Sequence, residues 1–262
     1  MGSGGSQKIF VTVKSYSKRG QLLKRSDLQT LAESRDLDEL VTRIKNTKYL
    51  DAINSVAKPY TAEKLEIALR AKLADEQFKI AKSSGNSKIL DAFFQRFIIS
   101  NLKLILKGKI LGKSQEEISA FFNMHAEELA KQRDIVVKAL VAKDLEEAVS
   151  SLGSSPFSDE IQKAVELYNE TKNIQAFDVY FDKMLYQNIT RALRSENDQD
   201  ISHIYGMETD FYNVMSIVRG KFWGLDDERI EDLTVSASVN IPNQVMDRMM
   251  AAESVKDAID EL

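Results

Sequence analysis

Apolar positions recur along this chain at helical rather than strand spacing. Leu37, Leu40, Val41 and Ile44 stand at i, i+3, i+4 and i+7, as do Leu145, Ala148, Val149 and Leu152, and again Val255, Ala258, Ile259 and Leu262. That spacing places each set on one stripe of an α-helix, with the charged positions between them left to solvent. The pattern predicts helices over 27–33, 36–47, 62–82, 87–111, 115–123, 126–142, 144–152, 159–172, 174–195, 199–223, 227–234, 242–251 and 254–262. Asp36 with Glu39 and Ser114 with Glu117 fit the capping box, in which a side-chain oxygen caps the first turn and a later carboxylate reaches back. Breaks fall at Lys58-Pro59, Ser83-Ser84-Gly85-Asn86, Gly153-Ser154-Ser155-Pro156 and Asn240-Ile241-Pro242. Only Ile9 to Val13, with its β-branched residues, invites a strand, and no obvious strand exists to pair with it. The expected class is all-α.

The three stripes are separated by 145 − 37 = 108 and 255 − 145 = 110 residues, and a second element keeps step with them. Asn101 to Ile118 and Asn213 to Ile230 share seven identities at an offset of 213 − 101 = 112: Asn101/Asn213, Ile105/Ile217, Gly108/Gly220, Lys109/Lys221, Gly112/Gly224, Glu116/Glu228 and Ile118/Ile230. About one would be expected by chance over such a stretch, so the chain repeats itself. Residues 1–7 read as a linker or disordered end, 8–112 as a first helical repeat domain, 113–224 as a second, and 225–262 as the start of a third. A period near 110 is too long for the short helical repeats of about 33–47 residues, and points to small helical domains around a pseudo-symmetry axis.

Composition narrows the function more by exclusion than by indication. Forty acids against 36 bases, mixed along 262 residues, provide no clustered basic face for nucleic acid. Zero cysteines remove disulfides and thiolate metal sites and suit a reducing compartment. The most apolar region, Ile89 to Leu111, is interrupted by charge too often to cross a bilayer, and Met1 to Ser6 lacks the features of a secretory signal.

Candidate chemistry is equally sparse. Gly112-Lys113-Ser114 looks like the end of a phosphate-binding loop, but Lys107 stands where that loop needs glycine, and a helix rather than a strand leads in. His125 and His203 stand alone; Asp200-x-x-His203 lacks the matching pair a di-metal site requires, and a solvated histidine at a helix start accounts for it. Glu208 and Asp210 form a carboxylate pair without a nucleophile. No catalytic residue, cofactor site, metal site or small-molecule substrate is therefore expected. The aromatics Phe93, Phe94, Phe97, Phe177, Tyr180, Phe181, Tyr186, Phe211, Tyr212, Phe222 and Trp223 read as core first and as a partner groove second. Met246, Met249 and Met250 form one apolar face that suits either a pliable contact surface or core.

Three elements together carry a family resemblance. They are Ser15-Tyr-Ser-Lys-Arg19 with Leu22-Leu23; the helix Asp36-Leu-Asp-Glu-Leu followed by Asn46-Thr47-x-Tyr49; and Tyr205-Gly206-x-Glu208-x-Asp210-x-x-Asn213-x-x-x-Ile217-x-Arg219-x-Lys221-x-x-Gly224-Leu225. In these the chain resembles the C subunit of the archaeal A-type ATP synthase, related to the d subunit of vacuolar-type proton pumps, over essentially all of 8–262. The resemblance implies a funnel of three helical domains, peripheral to the cytoplasmic face of a membrane. It implies partners at both ends, a central axle and a membrane rotor ring, and torque transmission without an active site. The third domain stops after its first helices, as in a truncated chain or a shorter relative, so a closed funnel is not expected from this chain alone. Phe97-Ile98-Ile99 replaces Thr209-Asp210-Phe211, so the acidic feature belongs to the second repeat only.

If that reading holds, the interface candidates are Lys107, Lys109, Glu208, Asp210, Arg219 and Lys221. The cations close the two long helices, where they favour the negative end of the helix dipole and, repeated around an axis, would face an acidic partner. The alternatives are a helical scaffold unrelated to rotary motors, or a helical enzyme using Glu208 and Asp210.

Overall fold

The computed structural model describes residues 3–85, 87–196, 199–235 and 240–262, and among them every regular element is a helix. In chain order these are α1 (Ser3–Arg19), α2 (Arg25–Ala32), α3 (Leu37–Lys45), α4 (Leu50–Asn54), α5 (Ala62–Ser83), α6 (Lys88–Phe94), α7 (Arg96–Ile110), α8 (Gln115–Ser119) and α9 (His125–Ala130). They continue as α10 (Arg133–Val141), α11 (Leu145–Ser151), α12 (Ser158–Thr171), α13 (Ala176–Glu196), α14 (Gln199–Phe222), α15 (Asp227–Leu233), α16 (Asn243–Ala251) and α17 (Val255–Asp260). The chain is all-α.

The caps explain most boundaries. Asp36, Asp144 and Ser254 each accept the amide of the residue three positions on, opening α3, α11 and α17 alike. Ser114 and Glu117 complete a reciprocal capping box on α8. The two long helices close alike. Lys113 N–H donates to Gly108 O and Gly112 N–H to Lys109 O, while Leu225 N–H donates to Gly220 O and Gly224 N–H to Lys221 O. This paired bonding is the Schellman motif, and Gly112 and Gly224 supply its left-handed residue at φ 65° and 71°.

Four sequence expectations change. Ile9 to Val13 lies inside α1, because an isolated β-branched run has no ladder to join, whereas a helix satisfies its own backbone. That helix begins at Ser3 and so runs through most of the segment read as a linker. The single helices expected over 87–111 and 126–142 are each two, the first parted at Gln95 and the second at Lys131, whose φ of 59° is left-handed.

Contacts divide the molecule into two compact units, residues 1–97 with 114–136 and residues 98–113 with 137–262. In the first, α5 is the spine. One end packs with α3 and α4 through Val41, Ile44, Ile53 and Leu65, and the other joins Phe94 and Ala126 through Ala74. In the second, Phe177, Tyr180 and Phe181 of α13 are almost wholly buried. Val214 and Ile217 of α14 pack there against Ile230, Met246, Met249 and Ala258. The methionine face is thus core.

Gly220 shows how tightly α14 meets α15. A Cβ built there would lie 2.6 Å from Cγ1 of Ile230, which is fully buried. Gly220→Ala is expected to cost about 1–3 kcal/mol through overpacking, and Ile230→Ala more through its cavity. Combined, they should lose less than their sum, because the added methyl fills the vacated space. Urea denaturation of the three variants checks this; strictly additive losses would show that the two positions do not meet.

Candidate interaction surface

α14 is apolar on two faces. Its inner face carries Tyr212, Asn213, Ile217 and Gly220, all buried. Half a turn away, Ile204, Met207, Phe211 and Phe222 stand 49–79% exposed on one stripe, with Met215 and Val218 half-buried between them. Solvated apolar side chains aligned along about five turns form a continuous surface, which marks a contact site more often than scattered ones do. Glu208 and Arg219 flank this stripe on the same side, Glu208 exposed and Arg219 half-buried.

The inner face of the same helix holds the backbone at the end of α15 and ahead of α16. Asn213 donates from Nδ2 to Val235 O at 2.9 Å and accepts Val235 N–H on Oδ1 at 2.8 Å. Tyr212 Oη lies 2.7 Å from Leu233 O and 3.0 Å from Val179 O, and burial pushes its hydroxyl pKa up. Asp210, 3% exposed, accepts the amides of Asn240 at 2.7 Å and Ile241 at 3.3 Å. Three inward positions thus bind the backbone on either side of 236–239.

The six interface candidates fall into distinct settings. Lys107 donates to both oxygens of Asp178 at 2.8 and 2.9 Å, and Lys103, one turn earlier, to Asp182 at 2.6 Å. Lys109 donates to the carbonyls of Leu140, at 2.8 Å, and Ala142. Lys221 does the same with Met250, at 2.5 Å, and Ala252. These two lysines cap α10 and α16 by matched bonds to residues 110 positions apart (250 − 140 and 252 − 142). Asp210 is turned inward, as above. Glu208 and Arg219 remain outward, and among the described residues neither forms an ion pair. Tyr186 feels the Glu208 charge: burial first, then Glu208 and Asp182, push its pKa up to about 12.

Another titratable cluster lies within the second unit. Asp232 accepts Tyr180 Oη at 2.8 Å and Lys163 at 3.1 Å, and Lys183 donates to its carboxylate and its backbone carbonyl. Burial would raise the Asp232 pKa, but the hydroxyl and the two ammonium groups outweigh it and hold it below its ordinary value. Beside it, burial raises the pKa of Glu160, whose Oε2 has no hydrogen-bond partner among the described residues. The cluster ties α12, α13 and α15 together and opens onto none of the described cavities. His125 Nε2 is 3.9 Å from Asp75, and His203 is exposed.

Sequence reasoning missed Ile204 and Met207 and assigned Phe211 and Phe222 to the core by default. The signal was present: 204, 207, 211, 215, 218 and 222 keep helical spacing opposite the stripe of 213, 217 and 220. A helix apolar on both faces needs a cover for each.

Fold and surface together define an all-α protein with a solvated apolar face on one long helix. Residues 11–262 match the family described as ATP synthase (C/AC39) subunit, and the chain belongs to that family. It is similar to the A-type ATP synthase C subunit of Methanocaldococcus jannaschii, 26% identical over 97% of this chain and 64% of that relative. The C subunit of Thermococcus kodakarensis is 26% identical over 86% of this chain and 60% of its own length, and that of Archaeoglobus fulgidus 24% over 97% and 72%. The chain thus spans slightly under two thirds of the length of the first two. No described helix is long and apolar enough to cross a membrane.

Proposed function

We propose that this chain is a central-stalk adaptor of an A/V-type rotary ATPase, joining the central axle to the membrane rotor ring and passing torque between them. Family membership across 11–262 is the observation that carries the reading. The relatives are named as subunits of an ATP synthase, and the role needs no catalytic group from this chain. It sits at the cytoplasmic face, peripheral to the bilayer. The outward stripe of α14 is the contact we assign to a partner protein, because buried aromatic anchors supply most of the energy of such interfaces. Glu208 and Arg219 form its polar rim.

Reconstitution tests the reading. The tagged chain, mixed with axle subunits and detergent-solubilised rotor ring from the same cell, is expected to co-elute with one or both. Phe211→Asp with Phe222→Asp should weaken that association at least about tenfold while helix content stays unchanged. Retention of neither axle nor ring would favour a scaffold outside rotary motors.

A further inference from the structure

The end of α1 lies over the middle of α5. Lys14 Nζ donates to Ser83 Oγ at 2.5 Å, and one turn later Lys18 pairs with Glu76 at 2.6 Å. The two helices therefore run antiparallel, which carries Arg19 and Leu22 past that bridge toward Leu73 and Leu69. Lys48 and Tyr49, in the turn between α3 and α4, close the third side. These elements enclose a cavity of about 570 Å³, within the roughly 300–1,000 Å³ that small-molecule sites occupy. All of its lining residues belong to the first unit.

Its wall is of two kinds. Leu22, Leu69, Leu73 and Ile80 form an apolar part, of which Leu22 is 60% and Leu73 47% exposed. Four cations, Lys18, Arg19, Lys48 and Lys72, stand with two acids, Asp51 and Glu76, an excess of two positive charges (4 − 2). Glu76 engages both Lys18 and Lys72, at 2.6 and 3.1 Å. Among the described residues Arg19 and Lys48 form no ion pair, with Asp51 or any other acid. Gln77 lines the same wall, and its Oε1 is buried without a hydrogen-bond partner among the described residues.

The second unit does not share this chemistry. At an offset of 112, Leu65, Leu69 and Leu73 of α5 correspond to Phe177, Phe181 and Leu185 of α13. In that register Lys72, Glu76 and Gln77 stand where α13 has Met184, Asn188 and Ile189, and both Met184 and Ile189 are buried. α5 is thus polar where its counterpart packs apolar side chains. A purely apolar cover would leave these charges and the amide dry and unpaired. An occupant with an anionic head and an apolar chain matches both parts of the wall.

We propose that this cavity binds a single-chain amphiphile with an anionic head, carboxylate or phosphate. Arg19 and Lys48, the two cations that Glu76 leaves unmatched, hold the head. The chain covers Leu22, Leu69 and Leu73 and takes the cavity's open leucines out of water. Arginine meets either head as a planar fork and lysine as a point charge, so the site selects charge and chain together and not one headgroup.

The probe is dodecyl phosphate, kept below its micelle concentration and titrated onto the whole chain by calorimetry and methyl NMR. One saturable site is expected, with shifts at Leu22, Leu69 and Leu73. Inorganic phosphate, a head without a chain, and dodecyl maltoside, a chain without charge, should each bind at least about tenfold more weakly. Arg19→Gln with Lys48→Gln, both on the surface, should weaken dodecyl phosphate about tenfold while helix content stays unchanged. Equal affinity for dodecyl maltoside, an unaffected double variant, or shifts confined to Ile204 and Met207 on α14 would show detergent-like adsorption and overturn the proposal. Binding to vesicles of anionic phospholipid without binding of monomeric dodecyl phosphate would assign the cations to a bilayer surface and overturn it too. None of these outcomes depends on co-elution with axle or ring.

Discussion

Asn213→Leu is expected to lower stability by about 2–4 kcal/mol, far more than any change on the solvated face of the same helix. Leucine keeps the branched heavy-atom skeleton of asparagine, so no cavity cost enters. What it removes is a matched donor and acceptor from Val235, whose own residue is 5% exposed. Each backbone group left dry and unpaired costs about 1–3 kcal/mol, partly offset by the added apolar burial. The damage should be local first: the amide of Val235 exchanges faster with solvent while α12 and α13 stay protected. Phe211→Ser, on the solvated face, should stay within about 0.5 kcal/mol of the parent chain. Urea titration with amide exchange checks both. An Asn213→Leu chain with unchanged midpoint and unchanged Val235 exchange would show that the clamp contributes nothing.

The contrast between Phe211 and Asn213 shows where sequence reasoning succeeds and where it stops. Helices were legible because their signals are local: the Asp36, Ser114 and Asp144 caps and the paired Gly112 and Gly224 stops each act within a few residues. The N-terminal helix was misread because Ile9, Phe10, Val13 and Tyr16 are all strongly exposed, so their spacing reports no burial. α4, five residues long, was too short for periodicity to reveal. The repeat was legible, but what its residues do was not. Lys109 and Lys221 recur because of partners far along the chain, as Asn213 is held by Val235, and spacing says nothing about distant backbone groups. For the same reason Asp210 looked like half of an acid pair with Glu208, although two residues on one helix lie on different sides of it. Only the packing of α14 decides that one accepts the amides of Asn240 and Ile241 and the other meets solvent.

Lys221→Met should lower stability by about 1.5–3 kcal/mol, the scale of hydrogen bonds to a charged donor in a partly buried setting. Methionine keeps the length and the apolar stem of lysine, so the change isolates the ammonium group. Without it, the carbonyls of Met250 and Ala252 at the end of α16 lose their donor. Salt separates this role from a surface one. A collar of solvated cations facing a partner would be screened within about 10 Å at 0.1 M salt, and its loss would not change the stability of the isolated chain. Contacts between an ammonium and carbonyls at hydrogen-bond distance are screened much less, so the cost should persist at about 1 M sodium chloride. The exposed Arg35–Glu39 pair provides the control, since Arg35→Met should cost less and lose its effect as salt rises. Denaturation of both variants at low and high salt checks this. A Lys221→Met loss that vanishes at high salt would return this lysine to the solvated rim and leave the α16 cap without weight.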